Sequence, residues 1–117
     1  MKNQKMLKIS RDEAFKSDVQ ALDDNELRML VEGYIWELSH QFPVPGRPLG
    51  KNKQTGDLRG AYSLRFDIPG YPNRYRLVYA FRPNARSPES IHLIAVGLRF
   101  DDQVYLAAAN RYKQSLN

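Results

Sequence analysis

Apolar residues recur at helical spacing early in the chain. The clearest stripe predicts a helix that buries one face in a core. This helix is expected to begin after Asp23 and Asp24, because carboxylates favour the start of a helix. The members of the stripe are Leu27, Leu30, Val31, Tyr34, Ile35 and Leu38. A shorter helix is predicted before it, because Ser10 and Glu13 have the spacing of a capping box. Residues 6–9 are expected to form a first strand.

The second half of the chain alternates apolar and polar positions, as half-buried strands do. Residues 62–68 and 74–81 show this alternation, and a turn is predicted between them. Residues 91–98 are almost wholly apolar, which indicates a central strand covered on both faces. From Asp101 onward a short closing helix is predicted. The prolines and glycines of residues 42–57 predict a long loop without regular structure.

These elements predict one α+β domain over residues 1–117. Two N-terminal helices are expected to pack on one face of a mainly antiparallel four-stranded sheet, followed by a short C-terminal helix. The other face of the sheet is expected to stay open. Strand alternation puts Arg65 and Arg76 on that open face, in neighbouring strands of a hairpin.

The composition gives the chain a positive net charge. The chain carries a net charge of +5 and has a pI near 9.6, which favours polyanionic partners such as nucleic acid. It has no cysteine and two histidines, so we expect no disulfide, no metal site and no cofactor. Residues 1–8 lack the apolar run of a secretory signal, and no stretch is apolar enough for a membrane span. We therefore expect a cytoplasmic protein.

Arginine is concentrated in the second half of the chain, where it supplies most of the candidate functional residues. Arg65, Arg76 and Arg99 converge with Tyr105 if the strands pair as predicted. Guanidinium groups bind phosphate bidentately and an aromatic ring accepts an unstacked base, so this set suits an RNA strand. The alternative is structural, with the same arginines solvated or paired with nearby carboxylates.

Three motifs resemble the RelE/ParE toxin superfamily. They are residues 56–66 (GDLRGAYSLRF), residues 75–79 (YRLVY), and residues 94–99 (IAVGLR) with DQVY and an alanine-rich helix behind them. The resemblance covers the second half of the chain closely and the first half only in pattern. It implies a microbial-RNase-like fold and, for the RelE branch, a toxin that cleaves messenger RNA in the ribosomal A site. It also implies a co-encoded antitoxin.

The resemblance implies a role for each site residue. In the RelE branch the 2′-hydroxyl of the message attacks the adjacent phosphate, and no metal is required. Arg65 matches a residue that contacts the scissile phosphate, and Arg76 matches one that stabilises the transition state. Arg99 matches an arginine proposed to protonate the leaving oxygen, and Tyr105 matches a tyrosine that stacks on a base. Further RNA or ribosome contacts are expected from Arg47, Lys51, Lys53, Arg59, Ser63 and Arg74.

The proton acceptor stays open. Where RelE has a lysine, this chain has Ser63, and a serine hydroxyl does not serve as a general base in its place. Other members of the superfamily use a carboxylate or a histidine for this purpose. The candidates here are Asp67, Asp101, Asp102 and His92. Of these, His92 also suits a core position, because it lies within an apolar strand.

Two other functions also stay open. A ParE-like toxin would bind DNA gyrase without nuclease chemistry, although the presence of both Arg99 and Tyr105 favours the nuclease. A catalytically silent relative would only bind its antitoxin, because Ser63 replaces the lysine. Either toxin branch predicts an acidic-leaning helical antitoxin segment that docks on the basic face and forms an oligomer with the toxin. Trp36 lies off the main helical stripe, and both edge packing and antitoxin binding remain open for it.

Overall fold

The chain forms seven strands and three α-helices within residues 6–115, the part that a computed structural model describes. The expectation for residues 1–8 therefore falls largely outside the described residues. In chain order the elements are β1 (Lys8–Arg11), α1 (Glu13–Ala21), α2 (Asn25–Ser39), β2 (Gly46–Pro48), β3 (Lys51–Asn52), β4 (Gly56–Asp57), β5 (Ala61–Phe66), β6 (Tyr75–Arg82), β7 (Ser90–Leu98), a 3₁₀ turn (Phe100–Asp102) and α3 (Gln103–Ser115). None of these helices has the length and apolarity needed to cross a bilayer.

Five of the strands form one sheet in the order β1–β7–β6–β5–β2. β1 runs parallel to β7 and the other neighbours are antiparallel, so the sheet is mainly antiparallel as expected but has five strands instead of four. The additional strand, β2, comes from residues 42–57, where the sequence predicts no regular structure. Pro48 is tolerated there because β2 is an edge strand. Gly46 is needed because a side chain would collide with the Tyr79 hydroxyl.

Aspartates cap both N-terminal helices. Asp24 accepts a backbone N–H hydrogen bond at 2.7 Å, and α2 begins directly after it, as the sequence predicts. The predicted capping box at Ser10 is wrong, because Asp12 is the N-cap of α1 and accepts a hydrogen bond from the Phe15 N–H at 3.0 Å. Ser10 instead lies in β1, opposite His92 of β7. Pairing with β7 thus extends the first strand beyond its expected end.

The first hydrophobic core lies between the sheet and the two N-terminal helices. The stripe predicted for α2 is confirmed, and its fully buried members are Leu27, Val31, Ile35 and Leu38. Trp36 does not pack into this core. Its side chain is 53% exposed and stacks on His40 with ring centroids 4.1 Å apart.

A second core lies on the opposite face of the sheet, under α3. Val104, Ala108 and Tyr112 form an i, i+4, i+8 stripe that packs against β6 and β7. The expectation that this face stays open is therefore wrong, and the closing helix is 13 residues long instead of short. Arg111 of α3 donates two hydrogen bonds, at 2.6 and 3.0 Å, to Asp18 of α1. β7 is buried on both faces, as its apolar sequence predicts.

We expect His92 to make the stability of this fold depend on pH. Its side chain lies on the α3 face, is 8% exposed, and leaves Nδ1 without a hydrogen-bond partner in the described residues. Burial lowers the pKa of His92 from its usual 6.5, and the charge of Arg82 lowers it further against a weaker opposite effect of Asp12. The unfolded chain therefore binds more protons than the folded chain just below about pH 6.5, so acid favours unfolding.

We expect the free energy of unfolding to fall as the pH drops from about 7.5 to about 5.5, where His92 becomes protonated in the unfolded chain. In His92→Gln, which does not titrate, the fall over the same range should be smaller. Urea unfolding at the two pH values measures both. An equal fall in the variant and the wild type would show that His92 is not the source.

Candidate nucleic-acid interface

The pairing of β5 with β6 brings two candidate arginines side by side. Arg65 and Arg76 share a face of neighbouring strands, as the sequence predicts, and the register makes them direct cross-strand partners. Gly97 of β7 lies on the other side of Arg76. Opposed residues of antiparallel strands share a face of the sheet, with Cβ atoms about 5 Å apart. Because glycine has no side chain, Gly97 leaves the space beside Arg76 open.

Arg76 is buried, although the sequence predicts that it points into an open face. The residue is 7% exposed. Its Nη1 donates to the carbonyl oxygens of Asn73 at 2.6 Å and Tyr75 at 2.9 Å, and its Nε has no partner among the described residues. The contact with Asn73 has no signal in the sequence, since it is made by a backbone carbonyl. Arg65, in contrast, is exposed.

Arg76 interacts electrostatically with three other candidate residues. Burial lowers the pKa of the Arg76 guanidinium, the Tyr105 hydroxyl raises it, and the charges of Arg65 and Arg99 lower it again. An arginine remains protonated even so. The structure therefore brings all four predicted catalytic residues together around one weakly hydrated positive charge.

A strained turn places Arg99 and Tyr105 at this site. The Arg99 N–H donates to the Arg74 carbonyl oxygen at 2.8 Å, just after the end of β7. Asp101 and Asp102 then both adopt left-handed backbone conformations, with φ of 53° and 56°. Such conformations cost about 1–2 kcal/mol per residue, and aspartate tolerates them better than most side chains. The turn leads directly into α3, so that Tyr105 lies in the first turn of that helix.

Ser63 holds the tyrosine in place. Its hydroxyl lies 3.0 Å from the Tyr105 hydroxyl, and Ser63 is 1% exposed. Ser63 therefore positions Tyr105 and is not free for the RNA contact expected of it. Arg47 of β2 is exposed and lies directly opposite Ser63 in the sheet, so it borders the same site.

Ion pairs hold some arginines of the domain and leave others unpaired. Three are held by aspartates at 2.6–2.7 Å, and these are Arg59, Arg74 and Arg111. Four around Ser63 and Tyr105 form no ion pair within residues 6–115, and these are Arg47, Arg65, Arg76 and Arg99. Unpaired guanidinium groups in one place repel each other and attract anions. This end of the α3 face is therefore suited to a polyanion.

Arg74 is engaged with Asp67. Its Nε and Nη2 donate to that carboxylate at 2.7 and 3.0 Å, and its backbone N–H donates at 3.0 Å. These hydrogen bonds lower the pKa of Asp67 to about 2, and the Asp67 side chain is 1% exposed. Asp67 therefore stays ionised, and its low pKa and its hydrogen bonds to Arg74 make it a weak proton acceptor. Arg74 is not free for the RNA contact expected of it.

The other proton-acceptor candidates are separated by the fold. His92 lies opposite Ala80, four residues along β6 from Arg76, which is a distance of about 13 Å along a strand. His92 is therefore remote from the arginine cluster. Asp101 and Asp102 remain next to it, in the turn that joins β7 to α3. Within residues 6–115, no three His, Cys, Asp or Glu side chains are grouped as metal ligands.

The cations of residues 51–59 lie elsewhere. Lys51 and Arg59 line a groove of about 830 Å³ between the β3–β4 hairpin and α3, and Arg59 is paired with Asp57 at 2.6 Å. That pairing lowers the pKa of Asp57 to about 2. Lys53 is exposed in the turn of the hairpin. The structure thus does not bring Lys51, Lys53 and Arg59 into the arginine cluster.

The fold and the site together define an α+β protein with a cluster of unpaired arginines at one end of its sheet. A chain in the crystal structure of the toxin–antitoxin complex RelBE2 from Mycobacterium tuberculosis has a similar fold. The TM-score is 0.55 and the sequence identity 22%, over 80% of this chain and 99% of that chain. This likeness confirms the RelE-like fold that the motifs predict. No family model and no curated protein matches the sequence.

We expect opposite effects on stability from two neighbouring arginines. Arg76→Met should raise the free energy of unfolding by about 1 kcal/mol, because it replaces an unpaired buried charge by an apolar side chain. Arg74→Met should lower the free energy of unfolding, because it leaves the buried Asp67 carboxylate without its partner. Denaturant unfolding of the two variants measures the difference. Destabilisation by both would show that Arg76 is a structural residue.

Proposed function

We propose that this protein is the toxin of a type II toxin–antitoxin system and acts as a ribosome-dependent endoribonuclease on messenger RNA in the A site. The observation that supports nuclease chemistry is the buried, unpaired Arg76 with Arg65, Arg99 and Tyr105 around it. Positive charges without counterions lower the stability of a fold, so a cluster of them is typical of a functional site. The RelE-like fold supports the assignment to a toxin.

The proposed reaction is attack by the ribose 2′-hydroxyl on the adjacent phosphorus. A bond forms between the 2′-oxygen and phosphorus, the bond to the 5′-oxygen breaks, and the products are a 2′,3′-cyclic phosphate and a 5′-hydroxyl. The phosphorane between them carries additional negative charge. Arg65 binds the phosphate, and Arg76 stabilises the charge that develops on it. Because Arg76 is buried, water screens this interaction less than it would at an exposed arginine.

Proton transfer and alignment are assigned to the turn before α3. Asp101 or Asp102 accepts the 2′-hydroxyl proton, since both lie between Arg99 and Tyr105 in the chain. Arg99 donates a hydrogen bond to the leaving 5′-oxygen and stabilises its charge, and this oxygen takes a proton from water as its bond to phosphorus breaks. Tyr105, oriented by Ser63, stacks on a base of the message and aligns the attacking ribose.

The proposed partners are the ribosome, its message and a cognate antitoxin in the cytoplasm. The exposed Arg47, Lys51 and Lys53 are assigned to contacts with ribosomal RNA. The antitoxin is expected to bring an acidic helical segment to the unpaired arginines and to form an oligomer with the toxin, because opposite charges suit the two surfaces. The crystal structure of similar fold is itself a toxin–antitoxin complex.

We expect primer extension in a purified translation system to show discrete A-site cuts that require ribosomes. Arg76→Ala should slow cleavage by about 100-fold or more, because it removes charge stabilisation in the transition state. Arg86→Ala is the matched control, since Arg86 is exposed in the turn at the opposite end of β6. An intact message with wild-type protein would refute the nuclease and favour gyrase binding or a silent relative.

We also expect the product of an adjacent gene to neutralise the toxin. Co-expression should restore growth of cells that express the wild-type protein, and the two proteins should purify together. The double variant Arg65→Glu/Arg99→Glu should bind this product less tightly, because an acidic segment loses its cationic partners. Growth inhibition that no adjacent gene relieves would contradict the toxin–antitoxin assignment.

A further inference from the structure

The turn between β5 and β6, the strands that carry Arg65 and Arg76, exposes an aromatic side chain. Tyr71 is 54% exposed and belongs to neither hydrophobic core. Gly70 before it has a φ of +93°, a left-handed conformation that suits glycine, and Pro72 after it has a restricted backbone. Burial in a hydrophobic core therefore does not explain the tyrosine at this position.

Arg74 holds the Tyr71 ring in place. Its guanidinium lies 4.3 Å from the centre of the ring, which is a cation–π contact. Arg74 is itself fixed by its hydrogen bonds to Asp67, whose side chain is 1% exposed. This contact restrains the ring while about half of the residue remains exposed. A planar ligand can therefore bind to it at a low cost in conformational entropy.

The backbone of the same turn contacts two of the unpaired arginines. The Asn73 carbonyl oxygen accepts a hydrogen bond from Arg76 at 2.6 Å, and the Arg74 carbonyl oxygen accepts one from the Arg99 N–H at 2.8 Å. Tyr71 is two residues from Asn73, and two residues span at most about 7 Å. The Tyr71 backbone therefore lies within about 7 Å of the residue whose carbonyl oxygen binds Arg76.

We propose that Tyr71 is a second stacking platform, which binds an unstacked RNA base next to the phosphate held by Arg76. This proposal rests on the proposed function, because the RNA at that site is its ligand. Asp67 neutralises Arg74, so the turn recognises a base and not a phosphate. Stacking on an aromatic ring tolerates every base, so Tyr71 adds affinity without strong sequence preference. The base belongs either to the message or to ribosomal RNA.

Two assays with the full chain test this platform. A short single-stranded RNA that carries 2-aminopurine reports affinity and stacking by fluorescence, and cleavage on programmed ribosomes reports KM and kcat. Tyr71→Ala should weaken RNA binding and raise KM by at least about fivefold, with kcat unchanged. Tyr71→Phe should behave as wild type, because stacking needs the ring and not the hydroxyl. Trp36→Ala is the matched control, an aromatic that is 53% exposed on α2.

The outcomes separate the platform from the proposed function. Weaker binding of the oligonucleotide together with a higher KM assigns the base to the message, and a higher KM alone assigns it to ribosomal RNA. The platform is refuted if Tyr71→Ala matches wild type in both assays, or if Trp36→Ala has the same effect. Wild-type protein that binds the oligonucleotide through Tyr71 but cuts no message refutes only the nuclease. Wild-type protein that neither binds nor cleaves RNA refutes both.

Discussion

Leu64 lies opposite Leu77 in the central hairpin and, one residue further, Arg65 lies opposite Arg76. Successive side chains of a strand point to opposite faces, so this register sends the leucines into the core with α1 and α2 and the arginines to the α3 face. A slip of one residue would exchange the two sets. Burial of each large apolar side chain contributes roughly 1.5–3 kcal/mol. The free energy that forms the core therefore also places the arginines of the site.

α3 divides its face of the sheet into a covered part and an uncovered part. Ala108 and Tyr112 cover the sheet further along the helix, while Tyr105 at its start lies over Ser63. Arg76 sits where the cover ends, which leaves it desolvated but next to exposed Arg65 and Arg99. Local burial strengthens an electrostatic interaction with a phosphate, and the neighbouring opening lets that phosphate approach. The left-handed turn before α3 sets where this boundary falls.

The carboxylates of the domain decide which arginines remain available to an anion. Asp67 forms an ion pair with Arg74, and Asp18 forms one with Arg111. Each pair joins two segments of the fold. Nothing in the sequence distinguishes these paired arginines from the unpaired Arg65 and Arg99. The distinction arises because Asp18 is 93 residues from Arg111, and the sequence does not show that they meet. The same holds for Ser63 and Tyr105, which are 42 residues apart.

The periodicity of the sequence by itself determined the helical stripe of α2, the alternation of the central hairpin and the doubly covered strand β7, because these depend on local spacing. The motifs that resemble the RelE/ParE superfamily identified Arg65, Arg76, Arg99 and Tyr105 as one set of candidates. Only the tertiary structure decided that residues 42–57 supply an edge strand, that α3 covers the second face, and that Arg76 is buried. These features depend on contacts between segments distant in the chain, and such contacts outweigh local preference.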